Sequence, residues 1–162
     1  MGTRVGLTRE VGRSYGGQRL YDTGGIYRGK NVTSVGAISL NKVLAFEMID
    51  GSMTGEKFKK FLSQKLSPLL WPGAVLVMDN LPAHKVEGVE EIINAVGAKI
   101  IYLPTYSPDF NPIEHLWWEL KSLVLKFRPQ NETILRKLLR LSLLLICEKN
   151  LKSYFTHCYY CT

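Results

Sequence analysis

The chain has 162 residues, 46% of them hydrophobic and 22% charged, enough for one domain that buries roughly two-thirds of its extended surface. That balance excludes a disordered tract, a low-complexity polymer and a repeat array. Twenty-one basic against fourteen acidic residues give a net charge of +7, which suits a polyanionic partner and equally serves solubility, while three cysteines, an odd number, fit reduced thiols in a cytosol rather than a disulfide framework.

Residues 1–30 are rich in glycine and arginine and read as loop-like. Arg13 and Arg19, with their neighbours, either track phosphates or form an exposed remnant. No secretory segment opens the chain, and Gly6 breaks the myristoylation pattern. Residues 31–40 and 43–49 are of strand type with a turn at Asn41-Lys42, an antiparallel hairpin. Thr54 caps a helix with Phe58, Phe61, Leu62 and Leu66 inside and Lys57, Lys59, Lys60 and Lys65 on a solvated face.

Residues 74–79 form a short apolar run ending in Asp79, the pattern of a buried strand that delivers one polar residue at its tip. Val86, Val89, Ile92, Ile93 and Val96 then recur at helical spacing up to a stop at Gly97, and 99–103 read as a second strand. Strand, helix and strand make a βαβ unit with parallel strands and a right-handed crossover, whose ligands gather at the carboxyl ends where Asp79 sits. Pro104, Pro108 and Pro112 delay the next helix, which Asn111 caps with Pro112 at N1 and Glu114 at N3. Ile113, Leu116, Trp117, Leu120, Leu123, Val124 and Phe127 mark its buried face and leave Glu114, Trp118 and Lys121 on a neighbouring stripe. Taken alone, Asn111 and Glu114 read as a capping box.

His84 is placed to orient a metal-bound water, to contact DNA or to make a structural hydrogen bond, and Asn80 adjoins it. Asp109 reads as a turn former. Tyr106 and Trp118 either stack on an unpaired base or pack. Residues 132–148 read as a last helix, able to serve as a dimer surface, and 151–160 as a short tail packing back. The apolar run 138–147 is too short for a membrane span, which needs about 20 residues, and reads as buried. Cys158 and Cys161 form a C-x-x-C beside His157 without a second pair to complete a metal clip.

The stretches VMDNLPAHK and LPTYSPDFNPIEHLWWELK resemble the second and third catalytic blocks of DDE transposases of the mariner-like superfamily, in the branch found in bacterial insertion sequences. Asp79 and Glu114 are separated by 34 residues, the spacing of that branch. The resemblance covers nearly the whole chain, weakly outside these blocks. It implies an α/β fold with a ribonuclease H-like mixed sheet flanked by helices, residues 1–162 forming one such domain. It implies that Asp79 and Glu114 are the second and third of three carboxylates holding two Mg²⁺ or Mn²⁺ ions. DNA is the implied partner, as transposon ends and target, with a homodimer and no membrane, in a bacterial cytoplasm and at the nucleoid when DNA-bound.

In relatives the first carboxylate ends the first strand. If Gly2 matches the glycine that follows it, the expected Asp lies three residues before Gly2 and the first strand is missing or incomplete. Glu10 and Asp22 follow no apolar β-branched run and are poor replacements. With the helix-turn-helix region of the family also absent, the expectation is a decayed or 5′-truncated copy, or a reading frame split from its upstream half. Such a chain is inactive in isolation; the alternative is a non-catalytic DNA-binding or dimerisation remnant.

Overall fold

The computed structural model describes residues 31–160 in full and, before them, the backbone of three short strands. These are β1 (Gly2–Arg4), β2 (Val11–Arg13) and β3 (Arg19–Tyr21), so the opening stretch is not wholly loop-like. β2 and β3 pair antiparallel, and β1 pairs antiparallel with β4 (Asn31–Ile38), placing Gly2 opposite Thr33. β4 and β5 (Val43–Asp50) form the expected hairpin. Its turn is held by Ser39, whose hydroxyl accepts from the amides of Asn41 and Lys42 and donates to the Lys42 carbonyl.

Side chains alternate across this sheet. Val35, Ala37 and Ala45 face one core, shared with Phe58, Phe61, Leu62 and Leu66 of the helical run that starts at α1 (Gly55–Phe61). Val32, Phe46 and Met48 face the other, shared with α3 (Ile113–Phe127), α4 (Glu132–Leu145) and α5 (Glu148–His157). Gly36 lies against α3: a methyl group there would meet the Ala45 carbonyl oxygen and Trp117 Cη2, each at 3.1 Å. A side chain there would push Trp117 or the strand back by a few tenths of an ångström.

α1 is capped by Thr54, whose hydroxyl accepts from the Lys57 amide at 3.4 Å. Lys57 does not simply face solvent, because its ammonium donates to the carbonyls of Asp50 and Ser52. β6 (Val75–Met78) and β7 (Lys99–Tyr102) are parallel in register, as the βαβ pattern predicts. The connecting α2 (Val89–Asn94) is shorter than the periodicity suggests, because Gly88, with φ of +91°, interrupts the run between Val86 and Val89 after a separate 3-10 turn at Pro82–His84. Gly97 turns the chain from α2 into β7 with φ of +74°, the left-handed conformation that glycine adopts without strain.

Three expectations at the C-terminal end are corrected. Phe127 is exposed rather than buried, because α3 ends there and Arg128 turns the chain with φ of +45°. The last helix stops at Leu145, and the tail is itself a helix, α5, which buries Leu151, Tyr154 and Cys158. The apolar run 138–147 is amphipathic instead of buried: Leu139 and Ser142 face inward while Leu141, Leu144 and Leu145 face solvent. α4 is fastened to β5 by Arg136, which donates to Glu132, to the Met48 carbonyl and to the Asp50 carboxylate. Among the described residues no helix is long and apolar enough to cross a membrane.

Candidate active site

Asp79 follows β6 directly, and Glu114 lies in the first turn of α3. Both line one groove of about 670 Å³. Its walls are β4 on one side and β6 on the other, its base is apolar with Phe58, Phe61 and Leu62, and Trp117 and Asn111 close the α3 side.

The Asp79 side chain is 39% exposed, but its Oδ1 is buried. His84 Nδ1 approaches that oxygen to 2.5 Å and hydrogen-bonds the Asp79 backbone carbonyl at 3.3 Å. The shorter approach departs from hydrogen-bond angles, so the imidazole is the polar neighbour of Oδ1 without a well-aligned hydrogen bond to it. A buried carboxylate oxygen in that condition is poorly satisfied and favours a cation. The His84 ring stacks on Phe58 with centroids 4.2 Å apart, and the Tyr102 hydroxyl donates to the His84 carbonyl at 3.2 Å. These two residues escape a sequence reading because Phe58 obeys the ordinary core periodicity of α1 and Tyr102 is merely the last residue of β7. Only the parallel register, with Tyr102 opposite Met78, brings its hydroxyl to the loop after Asp79. Burial, then the nearby Glu90, raises the Tyr102 pKa and keeps that hydroxyl a donor.

The capping box is not built. The Glu114 amide donates to the backbone carbonyl of Asn111 at 3.0 Å, and the helix start has no side-chain cap. Asn111 is extended and buried, but the helix starts one residue later than the sequence places it: Pro112 is the N-cap instead of N1, Glu114 lies at N2 instead of N3, and its carboxylate is not used as a cap. Asn80 is half-buried beside Asp79. Trp118 is 72% exposed, and Lys121 is exposed one turn further along α3. Tyr106 is fully exposed and held at φ of +58°, strained for a residue with a side chain. Neither aromatic packs into a core. Arg13 and Arg19 are register partners across β2 and β3, described by backbone alone. Glu10, Asp22 and Cys161 lie outside the described residues. Cys158 is buried, which raises its thiol pKa and disfavours the thiolate a metal clip needs. Among the described residues no cluster of three or more His, Cys, Asp or Glu is arranged to hold a metal.

The sequence pattern of the family described as DDE superfamily endonuclease matches residues 1–134. The chain belongs to that family. Among solved structures it is similar to the Mos1 mariner paired-end complex with Mn, with a TM-score of 0.80 and 15% identity over 98% of this chain and 50% of that one. The Mos1 strand transfer complex gives a TM-score of 0.80 at 16% identity, over 98% and 49% of the two chains. The catalytic domain of Mos1 mariner transposase gives 0.68 at 13% identity, over 80% and 69%. The chain thus spans about half the length of the first of these. No curated protein matches it. At such identities the likeness shows the fold, and this DDE family member has the mixed α/β, ribonuclease H-like architecture expected from the sequence.

Proposed function

We propose that this DDE family member is a transposase-derived domain of the mariner-like superfamily, in the insertion-sequence branch, whose ancestral reaction is metal-dependent DNA cleavage and strand transfer. The observation that carries this reading is the groove shared by Asp79 and Glu114, with a buried Asp79 oxygen that lacks a hydrogen bond and a Glu114 carboxylate that caps nothing. Hard carboxylate oxygens fit Mg²⁺ or Mn²⁺, so Asp79 and Glu114 are the residues that would hold it. When bound, such ions activate a nucleophilic oxygen and stabilise the leaving oxygen of a phosphodiester. His84, clamped between Phe58 and the Asp79 backbone, sets the orientation of the carboxylate, and Asn80 assists beside it. Arg13, Arg19, Tyr106, Trp118 and Lys121 are the DNA contacts: the cations neutralise phosphates, and the exposed rings stack on bases. Such a protein works in a bacterial cytoplasm and, when DNA-bound, at the nucleoid.

Two carboxylates hold one ion weakly and cannot fix two, so the 162-residue chain by itself is inactive as a nuclease. A second reading, a non-catalytic dimerisation remnant, is favoured by one observation, the exposed leucines of α4 at positions 141, 144 and 145. The test is Mn²⁺-dependent nicking of supercoiled DNA by three proteins: the chain as given, the chain prefixed before Gly2 by an apolar β-branched strand ending in Asp-Glu-Ser, and that extended chain carrying Glu114→Ala. Nicking is expected from the second alone. Nicking by the unextended chain that disappears with Asp79→Ala contradicts the need for a first carboxylate and promotes Glu10 or Asp22. Nicking that survives Glu114→Ala removes Glu114 from the site.

A further inference from the structure

α4 has two apolar faces. Leu135 and Leu139 enter the core, whereas Ile134, Leu141, Leu144 and Leu145 are exposed, the last two by 81% and 74%. Ile134, Leu138, Leu141 and Leu145 stand four, three and four residues apart, so they form one seam of about 16 Å along the helix at 1.5 Å per residue. This is the spacing with which one helix receives another, the a and d positions of a heptad. Leu138 is half-buried against the core, so the seam continues the packed interior outward.

The charges beside the seam have one sign. Lys137 and Leu144 lie along its flank away from the core, one heptad apart, and Arg140 lies further round. Both cations are exposed, and neither makes an ion pair among the described residues. The one acid on α4, Glu132, is taken by Arg136.

These features select the occupant. A helix spends its backbone groups on its own hydrogen bonds, so this face is read by side chains and cannot add a strand. A second copy would bring the same two cations and, on its own α4, no carboxylate that Arg136 has not taken. A lipid surface asks for cations on the polar side of an amphipathic helix, but Lys137 lies within the apolar arc, between Leu141 and Leu144 around the helix. There a single opposed carboxylate answers it.

We infer that the outer face of α4 docks an amphipathic helix of another protein, apolar along the seam and acidic on the flank that meets Lys137 and Arg140. Its apolar residues pack on Ile134, Leu141 and Leu145, and its carboxylates pair with the two cations, which selects it against basic helices. The docking is independent of the chemistry proposed for Asp79 and Glu114.

The experiment uses the full 162-residue chain and two fluorescent three-heptad peptides with Leu at a and d, one carrying Glu and the other Lys at e and g, read by anisotropy at physiological ionic strength. The acidic peptide should bind saturably and the basic one should not. Lys137→Glu with Arg140→Glu should weaken the acidic peptide at least tenfold and admit the basic one. Leu141→Ser should weaken the acidic peptide by a similar factor. The same charge change at Lys60 and Lys65, exposed lysines of the helical run that starts at α1, should leave both peptides unchanged. Every substituted side chain is exposed, so the variants should keep the helical circular dichroism of the parent. Equal weakening by the Lys60 and Lys65 pair would show only the attraction of an acid to a chain of net charge +7 and overturns the site, as does the absence of saturable binding. A chain that sediments as a dimer and becomes monomeric with Leu141→Glu gives the face to a second copy. Binding to phosphatidylserine vesicles that Leu141→Glu abolishes gives it to lipid. Either result overturns the inference.

Discussion

The place of Asp79 directly after β6 was legible because an apolar run that ends abruptly in a carboxylate reads as a strand with one polar residue at its tip. Glu114 was ambiguous, since N-x-x-E at a helix start describes a capping box equally well, and the hydrogen bonds resolve it against the cap. A side chain that caps nothing contributes little to folding. Glu114→Gln should therefore change unfolding free energy by less than about 0.5 kcal/mol, the range for a surface substitution away from a cap or buried network. Chemical denaturation measures this, and a loss of about 1 kcal/mol or more would restore the capping role. Phe58 and Tyr102 stayed hidden because their importance lies in a ring stack and a cross-strand hydroxyl that arise only when α1, β6 and β7 pack together.

Most elements could be read from periodicity, and the departures share a cause at their ends. α2 begins late because Gly88 takes the left-handed conformation just before Val89, and α4 stops at Leu145 because Cys147 and Asn150 start α5. The Asn150 carboxamide oxygen accepts from both the amide and the thiol of Cys147, a local bond with no hydrophobic signature. α5 is held to α3 by Tyr154, whose hydroxyl donates to the Glu119 carboxylate and whose ring stacks on His115. Burial, reinforced by that bond, raises the Tyr154 pKa above its ordinary value of 10.0. The folded state therefore keeps a proton that the unfolded chain releases near pH 10, so this contribution is complete below pH 10 and declines as pH rises towards the folded value. Tyr154→Phe should cost about 1.5–3 kcal/mol at pH 8, as for a hydrogen bond to a charged group. It should also shrink the alkaline loss of stability. Denaturant unfolding between pH 8 and 11 tests both, and parallel curves for the two proteins would contradict the linkage.

For the whole molecule, the layered α/β architecture followed from the βαβ unit and the hairpin, but the groove between β4 and β6 did not, because sheet edges have no signature in one sequence. The net charge of +7 suits a polyanion such as DNA. Binding to duplex DNA should show no sequence preference, and log K should fall with log salt by about 0.9 per phosphate neutralised. An affinity flat between low and moderate salt, or a clear preference for one duplex, would count against a phosphate-only interface. All of this depends on Asp79 and Glu114 sharing one metal site. Calorimetric titration of Mn²⁺ into the chain, Asp79→Ala and Glu114→Ala examines that most directly. Binding should be weak but measurable, and either substitution should abolish it while the fold is retained; equal heats from all three folded proteins would contradict a shared site.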